Sequence, residues 1–143
     1  MNFYLVFSKR NLLATLLATV IIIFTLGQVY SAANVPKNAE TNALRLNYIN
    51  SLNYKVEDET PTEKQITIPV KFNKVYNKYN ELQRKAGFNL KDYCGKTVTM
   101  FTYKLKDNYY ANIIVLNGRV IGGDICSNSL YGEMLPLKKR QSL

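Results

Sequence analysis

The chain has 143 residues, no histidine, no tryptophan and a formal net charge of +9 at pH 7. The absence of histidine excludes Ser-His-Asp and Cys-His catalytic groups and removes the commonest transition-metal ligand. No nucleophile elbow, phosphate-binding loop or Cys-x-x-Cys motif is present. We therefore predict no catalytic residue and no metal or organic cofactor.

The first 33 residues have the layout of an export signal. Lys9 and Arg10 precede an uncharged apolar run of about 17 residues, and small residues follow it. The positive pair is expected to stay in the cytoplasm, so the rest of the chain is predicted to be extracytoplasmic. Because the small residues fit a cleavage site and the run is just long enough to span a bilayer, two alternatives remain open. Residues 1–33 are either a cleaved signal peptide or a single-pass transmembrane anchor.

The exported part is basic. All 10 acidic residues and 17 of the 19 lysines and arginines follow Ala33, which leaves that part a net charge of +7. Such a surface is attracted to lipid headgroups and anionic wall polymers, with Lys138, Lys139 and Arg140 as the densest cluster. The alternative is that the lysines only keep the domain soluble. Nucleic acid is not predicted as a partner, because an exported chain leaves the compartment that holds it.

Residues 34–37 are predicted to be a linker, followed by a helix from Asn38 to about Leu52. Asn38 is a good N-cap, and the apolar residues that follow share one face. Arg45 lies in the middle of this apolar face, so its guanidinium group needs a carboxylate or carbonyl partner. Two interpretations remain: a structural link to the sheet, or an anion-binding residue.

Two short strands and a second helix are predicted next. Tyr54–Val56 and Gln65–Ile68 have the composition of a hairpin. Residues 72–86 have apolar side chains at helical spacing, and Gly87 is suited to end that helix in the left-handed conformation. Gln83 on the apolar face is interpreted as a buried hydrogen bond to the sheet, with a ligand contact as the alternative.

The last third of the chain predicts a β-meander. Thr97–Leu105 and Tyr109–Leu116 alternate in hydrophobicity, and Asn117-Gly118 is typical of a type I′ hairpin turn. A two-residue loop would place Ile114 opposite Ile121. The order of elements indicates an α+β domain: an antiparallel sheet of about five strands with two helices packed on one face, preceded by the N-terminal signal or anchor helix. The domain is predicted to span residues 38–135, followed by a basic C-terminal tail at 136–143.

Gly122, Gly123 and Asp124 interrupt the last predicted strand, which indicates a bulge or a close backbone approach. In a structural role, Asp124 would cap an amide or pair with a base such as Arg45. In a functional role, backbone amides exposed by the glycines would hold a ligand that Asp124 orients.

Cys94 and Cys126 are the only cysteines. An even number outside the cytoplasm favours a disulfide, and two packed thiols are the alternative. A bond requires that the start of the strand at Thr97 lie near the end of the last strand.

Short segments spread along the domain carry a family resemblance; they are Arg45–Val56, Tyr79–Leu90, Tyr93–Lys96, Tyr103, Ala111–Val115 and Ile121–Ile125. Together they resemble the domain-of-unknown-function 4830 family, uncharacterised exported or membrane-tethered proteins of clostridia-like, Gram-positive bacteria. The resemblance implies an export leader and one α+β domain. The family has no assigned activity, so no catalytic residue is carried over from it.

The favoured hypothesis is a non-enzymatic extracytoplasmic domain that binds a protein, a peptide or an anionic envelope polymer, with the membrane contacted through the N-terminal segment. The candidate binding residues are Arg45, Gly122, Gly123, Asp124 and an exposed tyrosine cluster drawn from Tyr93, Tyr109, Tyr110 and Tyr131. The alternative is a small hydrolase that uses Asp92 and Asp124 as paired carboxylates. A redox module that uses the two cysteines is disfavoured, because no Cys-x-x-Cys is present.

Overall fold

The computed structural model describes residues 15–23, 37–129 and 132–140. The chain divides into two units, Met1–Val35 and Pro36–Leu143. In the first unit, residues 15–23 are helical and their large apolar side chains are exposed. Within the described residues, no helix is both long and apolar enough to cross a membrane. The rest of the predicted signal or anchor lies outside the described residues.

The second unit is an α+β domain built on one antiparallel sheet. Its elements are α1 (Asn42–Ser51), β1 (Thr62–Thr67), α2 (Lys74–Lys85), β2 (Thr97–Leu105), β3 (Tyr109–Leu116), β4 (Arg119–Ser127) and β5 (Met134–Pro136). Short 3₁₀ turns at Leu90–Tyr93 and Lys106–Asn108 precede β2 and β3. The strands lie in the order β1-β2-β3-β4-β5, each antiparallel to its neighbour. The predicted fold class and the five-stranded antiparallel sheet are confirmed.

Two of the five strands differ from the prediction. The Tyr54–Val56 segment contributes only one bridge, between Val56 and Leu105, so β1 has no hairpin partner there and pairs with β2 instead. The fifth strand is β5, for which the sequence pattern predicts no strand and which pairs with β4. The edge position of β1 explains why its side chains are almost all exposed.

The two helices pack on opposite faces of the sheet, so the prediction that both cover one face is wrong. Ile49 of α1 joins the buried cluster around Tyr103, whereas Tyr79 of α2 packs on the cluster around Val98 and Ile114. The helices take opposite faces because β2 directs apolar side chains to both faces of the sheet, and each apolar face must be covered. We call these the α1 face and the α2 face.

Helix α1 begins later than predicted. Thr41 is its N-cap and accepts a hydrogen bond from the Leu44 amide (3.3 Å). Residues 37–39 are extended instead, because they pair with the tip of the β3–β4 hairpin; the Ala39 amide donates to the Gly118 carbonyl (2.7 Å). Helix α2 ends as predicted, with Gly87 at φ 85°.

The β3–β4 hairpin contains a bulge that the predicted register lacks. Positive φ values at Asn117 (50°) and Gly118 (72°) confirm the type I′ turn. Beyond Val115, however, Ile114 pairs with Gly122 rather than with Ile121, because Ile121 is the extra residue of the bulge. The bulge exchanges the faces of all later residues of β4 and places Asp124 opposite Asn112, on the α2 face.

Candidate functional sites

Arg45 is buried on the α1 face and is held by neutral groups. Its Nε donates to the Tyr103 hydroxyl (2.8 Å), one of its terminal nitrogens donates to the Ala39 carbonyl (2.9 Å), and its guanidinium group lies 3.7 Å from the centre of the Phe101 ring. The ion pairs among the described residues do not include Arg45. Asp124 is therefore not its partner, because the sheet separates them, and the structural interpretation of Arg45 agrees with its contacts.

Asp124 is the second buried charge and lies on the α2 face, with 2% of its surface exposed. The Tyr79 hydroxyl donates to one carboxylate oxygen (2.6 Å), and the Asn112 amide donates to the other (2.9 Å). The Asn112 carbonyl oxygen in turn accepts from the Thr102 hydroxyl (2.7 Å). Burial raises the pKa of Asp124, and the two donated hydrogen bonds only partly oppose that shift. Burial also raises the pKa of Tyr79, and the neighbouring carboxylate adds to the shift.

Gly122 and Gly123 lie at a close approach between β4 and α2. The Gly123 amide donates to the side-chain oxygen of Gln83 (2.8 Å). A Cβ on Gly122 would lie 2.9 Å from that same oxygen and 2.9 Å from a methyl carbon of Leu90. The predicted close approach is present, and so is the predicted hydrogen bond between Gln83 and the sheet, in which Gln83 accepts. Because the glycines are buried under α2, their amides do not face an open ligand site.

We expect a pH-dependent contribution of Asp124 to stability. Its folded pKa lies above the unfolded value of about 3.9, so the unfolded carboxyl group ionises first as the pH rises. The free energy of unfolding should therefore fall between pH 4 and the folded pKa, and Asp124→Asn should lack this change. Urea unfolding at a series of pH values measures it, with the exposed Asp58→Asn as the control. A wild-type protein that gains stability relative to Asp124→Asn with rising pH would contradict the expectation.

The proposed carboxylate pair does not face a common open cleft. Asp92 is exposed and accepts a hydrogen bond from the Asn89 amide (2.7 Å), whereas both oxygens of Asp124 are engaged in the interior. Within the described part of the chain, no group of three or more Cys, Asp or Glu side chains is placed to hold a metal ion.

Cys94 and Cys126 are free thiols, so the predicted disulfide is not formed. Cys94 precedes Thr97 at the start of β2, while Cys126 is aligned through Tyr110 with Lys104 near the end of β2. The distance along a strand from position 97 to 104 is about 23 Å, far beyond disulfide reach. The required juxtaposition of the two strand ends is absent, because the meander places them at opposite ends of the sheet.

The predicted tyrosine cluster is dispersed. Tyr93 packs on the α2 face beside the start of β2, and Tyr109 packs on the α1 face. Tyr110 pairs with Lys104 and lies on the face opposite to Tyr109. Tyr131 lies outside the described residues.

A basic cleft lies at the end of the sheet where β2 passes into β3. It has a volume of about 350 Å³, and its lining includes Tyr54, Lys55, Lys106, Asp107 and Arg140. Three cations thus surround one carboxylate. A second depression of about 200 Å³ adjoins the cleft and shares three of these residues with it.

The position of Arg140 in the cleft is fixed by its backbone. Its amide donates to the Leu52 carbonyl (2.9 Å), and its guanidinium group contacts Asp107 (3.2 Å) and lies 6.0 Å from the centre of the Tyr54 ring. Of the predicted basic cluster, Arg140 therefore belongs to the cleft, whereas Lys138 and Lys139 are exposed beside it. Burial raises the pKa of Tyr54, and the positive charge of Arg140 opposes this shift.

An apolar groove of about 330 Å³ separates α2 from β5; it is lined by Val75, Tyr76, Lys78, Tyr79, Leu82 and Met134. We call it the α2–β5 groove. Val75 is 73% exposed and Met134 is 49% exposed, so the groove leaves two large apolar side chains open to solvent. Sequence reasoning missed the groove, since β5 was not predicted as a strand. The signal available in the sequence was the apolar face that Val75 shares with Tyr79 and Leu82 at helical spacing.

Comparison with known proteins identifies a family without an assigned activity. No curated protein and no solved structure matches the chain. A family model described as a domain of unknown function (DUF4830) matches residues 45–125, which is more than half of the chain and extends from Arg45 to Ile125. The chain therefore belongs to the DUF4830 family.

Proposed function

We propose that this protein is a non-enzymatic extracytoplasmic domain that binds an anionic polymer of the cell envelope through the basic cleft. The observation that supports this proposal most directly is that Lys55, Lys106 and Arg140 line one cavity. Asp107 is the single carboxylate in its lining. Phosphate and carboxylate groups are the chemistry that such a cavity attracts.

The composition of the cleft favours a repeating polyanion as the ligand, rather than a single tightly bound ion. Lys55, Lys106 and Arg140 are exposed, so each contact with an anion is individually weak. A polymer gains affinity from several such contacts along its length. Tyr54 adds an aromatic wall, against which a sugar or glycerol unit of such a polymer can pack.

The location is part of the same proposal. A basic leader followed by an apolar run supports export, with the membrane contacted through that segment. The net charge of +7 on the exported part favours association with anionic envelope material. A chain without histidine and with Asp124 engaged in the interior supports binding rather than catalysis.

Charge reversal in the cleft should weaken binding to a polyphosphate probe. We expect Lys55→Glu/Lys106→Glu to lower the affinity about tenfold at low salt, since two exposed ion pairs contribute roughly 0.5–1 kcal/mol each. The matched control is Lys64→Glu/Lys71→Glu, which makes the same change in net charge at exposed positions outside the cleft. Fluorescence anisotropy with labelled polyphosphate measures both variants. Equal losses in the two double variants would contradict a specific cleft.

Phosphate groups at the cell envelope occur both in anionic polymers and in lipid headgroups, and vesicle binding distinguishes these two sources. If the cleft recognises a polymer, polyphosphate should compete with binding to phosphatidylglycerol vesicles, and the cleft variant should lose more affinity for the polymer than for the vesicles. The opposite order of losses would assign the cleft to the lipid surface.

A further inference from the structure

We propose that the α2–β5 groove binds a small anionic amphiphile, with its apolar chain against Val75, Leu82 and Met134 and its acid group at Lys78. This second site lies on the α2 face and involves none of the residues of the basic cleft. The inference therefore stands independently of the proposed function.

The lining of the groove has the composition of a small-molecule site. Ligand pockets are concave, about 300–1,000 Å³ in volume, and mostly apolar with a few polar groups that fix orientation. The groove, at about 330 Å³, lies at the small end of this range and suits a medium-length chain or one ring system. Met134 contributes a flexible thioether side chain, which adapts readily to ligands of varied shape.

The aromatic walls of the groove are held in place before any ligand binds. The Tyr79 hydroxyl donates to the buried Asp124 carboxylate (2.6 Å), so this ring cannot swing into the groove without breaking a charge-assisted hydrogen bond. The Tyr76 ring packs on Phe72, with a distance of 5.4 Å between ring centres. Walls fixed in this way reduce the conformational entropy that binding would otherwise remove. This gives the buried Tyr79–Asp124 pair a role in keeping the groove open.

The charge expected of the ligand follows from the charged side chain at the rim of the groove. Among the described residues that line the groove, Lys78 is the only charged one. Its aliphatic stem can lie along the apolar wall while the ammonium group remains at the solvent edge. An amphiphile with a carboxylate or phosphate head satisfies that geometry, whereas a cationic head would be repelled.

Decanoate is the probe for this site, used with the full-length chain below the concentration at which micelles form. We expect one decanoate to bind per domain, with a shift of the Met134 methyl NMR signal, and decyltrimethylammonium to bind much more weakly. Val75→Asp should lower the affinity for decanoate about tenfold, and Lys78→Gln about fivefold. Val75 lies in the first turn of α2, where an aspartate is compatible with the helix dipole, so the variant should fold.

The controls match each variant in residue type and exposure. Val70→Asp introduces the same change at a valine that is 76% exposed outside the groove, and Lys74→Gln removes an exposed lysine from the same helix. Both should bind decanoate as the wild type does. Equal losses in the controls, or no Met134 shift with decanoate, would overturn the proposal. So would a dimer that Val75→Asp dissociates and decanoate leaves intact, because a second copy of the chain would then cover the groove.

Discussion

Gly123→Ala should destabilise the domain by about 3 kcal/mol, which corresponds to a fall in melting temperature of roughly 12 °C or more. A Cβ at this position would lie 2.2 Å from the backbone oxygen of Asn112 and 2.6 Å from a methyl carbon of Leu137. The oxygen belongs to the neighbouring strand, so it can move only if the β3–β4 ladder opens. Gly123 also donates its amide to Gln83, and a shift of the strand would break that hydrogen bond.

Gly87→Ala is the matched control for this prediction. Gly87 has φ 85°, and a Cβ there would meet no atom within 4 Å, so alanine adds only the strain of the left-handed conformation, roughly 1 kcal/mol. Thermal and urea unfolding of the two variants should therefore differ by about 2 kcal/mol. Similar stabilities for Gly123→Ala and Gly87→Ala would show that the close approach to Asn112 is relieved without loss of the ladder.

The position of Asp124 shows where sequence reasoning stops. With the simple register set by the Asn117-Gly118 turn, Asp124 would lie opposite Ala111 on the α1 face, where a pair with Arg45 is conceivable. The bulge at Ile121 adds one residue, and one residue is enough to move Asp124 to the α2 face. The sequence indicated a bulge through its glycines, but it did not indicate the position of the extra residue.

The strands themselves were predictable to different degrees. β2, β3 and the tight turn have strong alternation and turn chemistry, and they form at the predicted positions. β1 and β5 are edge strands with few buried side chains, so their patterns carry little signal. The strand predicted at Gln65–Ile68 overlaps β1 but has different bounds and a different partner, and β5 was missed. The placement of α1 and α2 on opposite faces could have been predicted from the sequence, because β2 has apolar side chains on both faces.

Neither surface site could be predicted from the sequence, and the reason is the same for both. The basic cleft and the α2–β5 groove both require chain between residues 132 and 140, whose course the sequence does not define. The buried residues were easier to predict. A guanidinium group in the middle of an apolar helix face demanded a partner, and the structure supplies carbonyl, hydroxyl and aromatic groups.

Arg45→Ala should lower the free energy of unfolding by about 3 kcal/mol, because it removes a large buried side chain and leaves its partners without a donor. The Ala39 carbonyl loses a 2.9 Å hydrogen bond, and the Phe101 ring loses the group stacked on it. Tyr103 retains its own donated hydrogen bond to Asn42 (2.7 Å), so the sheet side of the network should persist. Arg84→Ala, at an exposed position on α2, is the control and should change stability by less than about 0.5 kcal/mol.

Arg45→Met separates the loss of volume from the loss of hydrogen bonds. Methionine refills most of the space and keeps an apolar contact with Phe101, but it donates nothing to the Ala39 carbonyl or the Tyr103 hydroxyl. We therefore expect Arg45→Met to recover about half of the stability that Arg45→Ala loses, as measured by urea unfolding. If Arg45→Met were as stable as the wild type, the buried guanidinium would add no net stability through its hydrogen bonds. That outcome would contradict the expected stabilising role of these hydrogen bonds, since a hydrophobic side chain would serve the fold equally well.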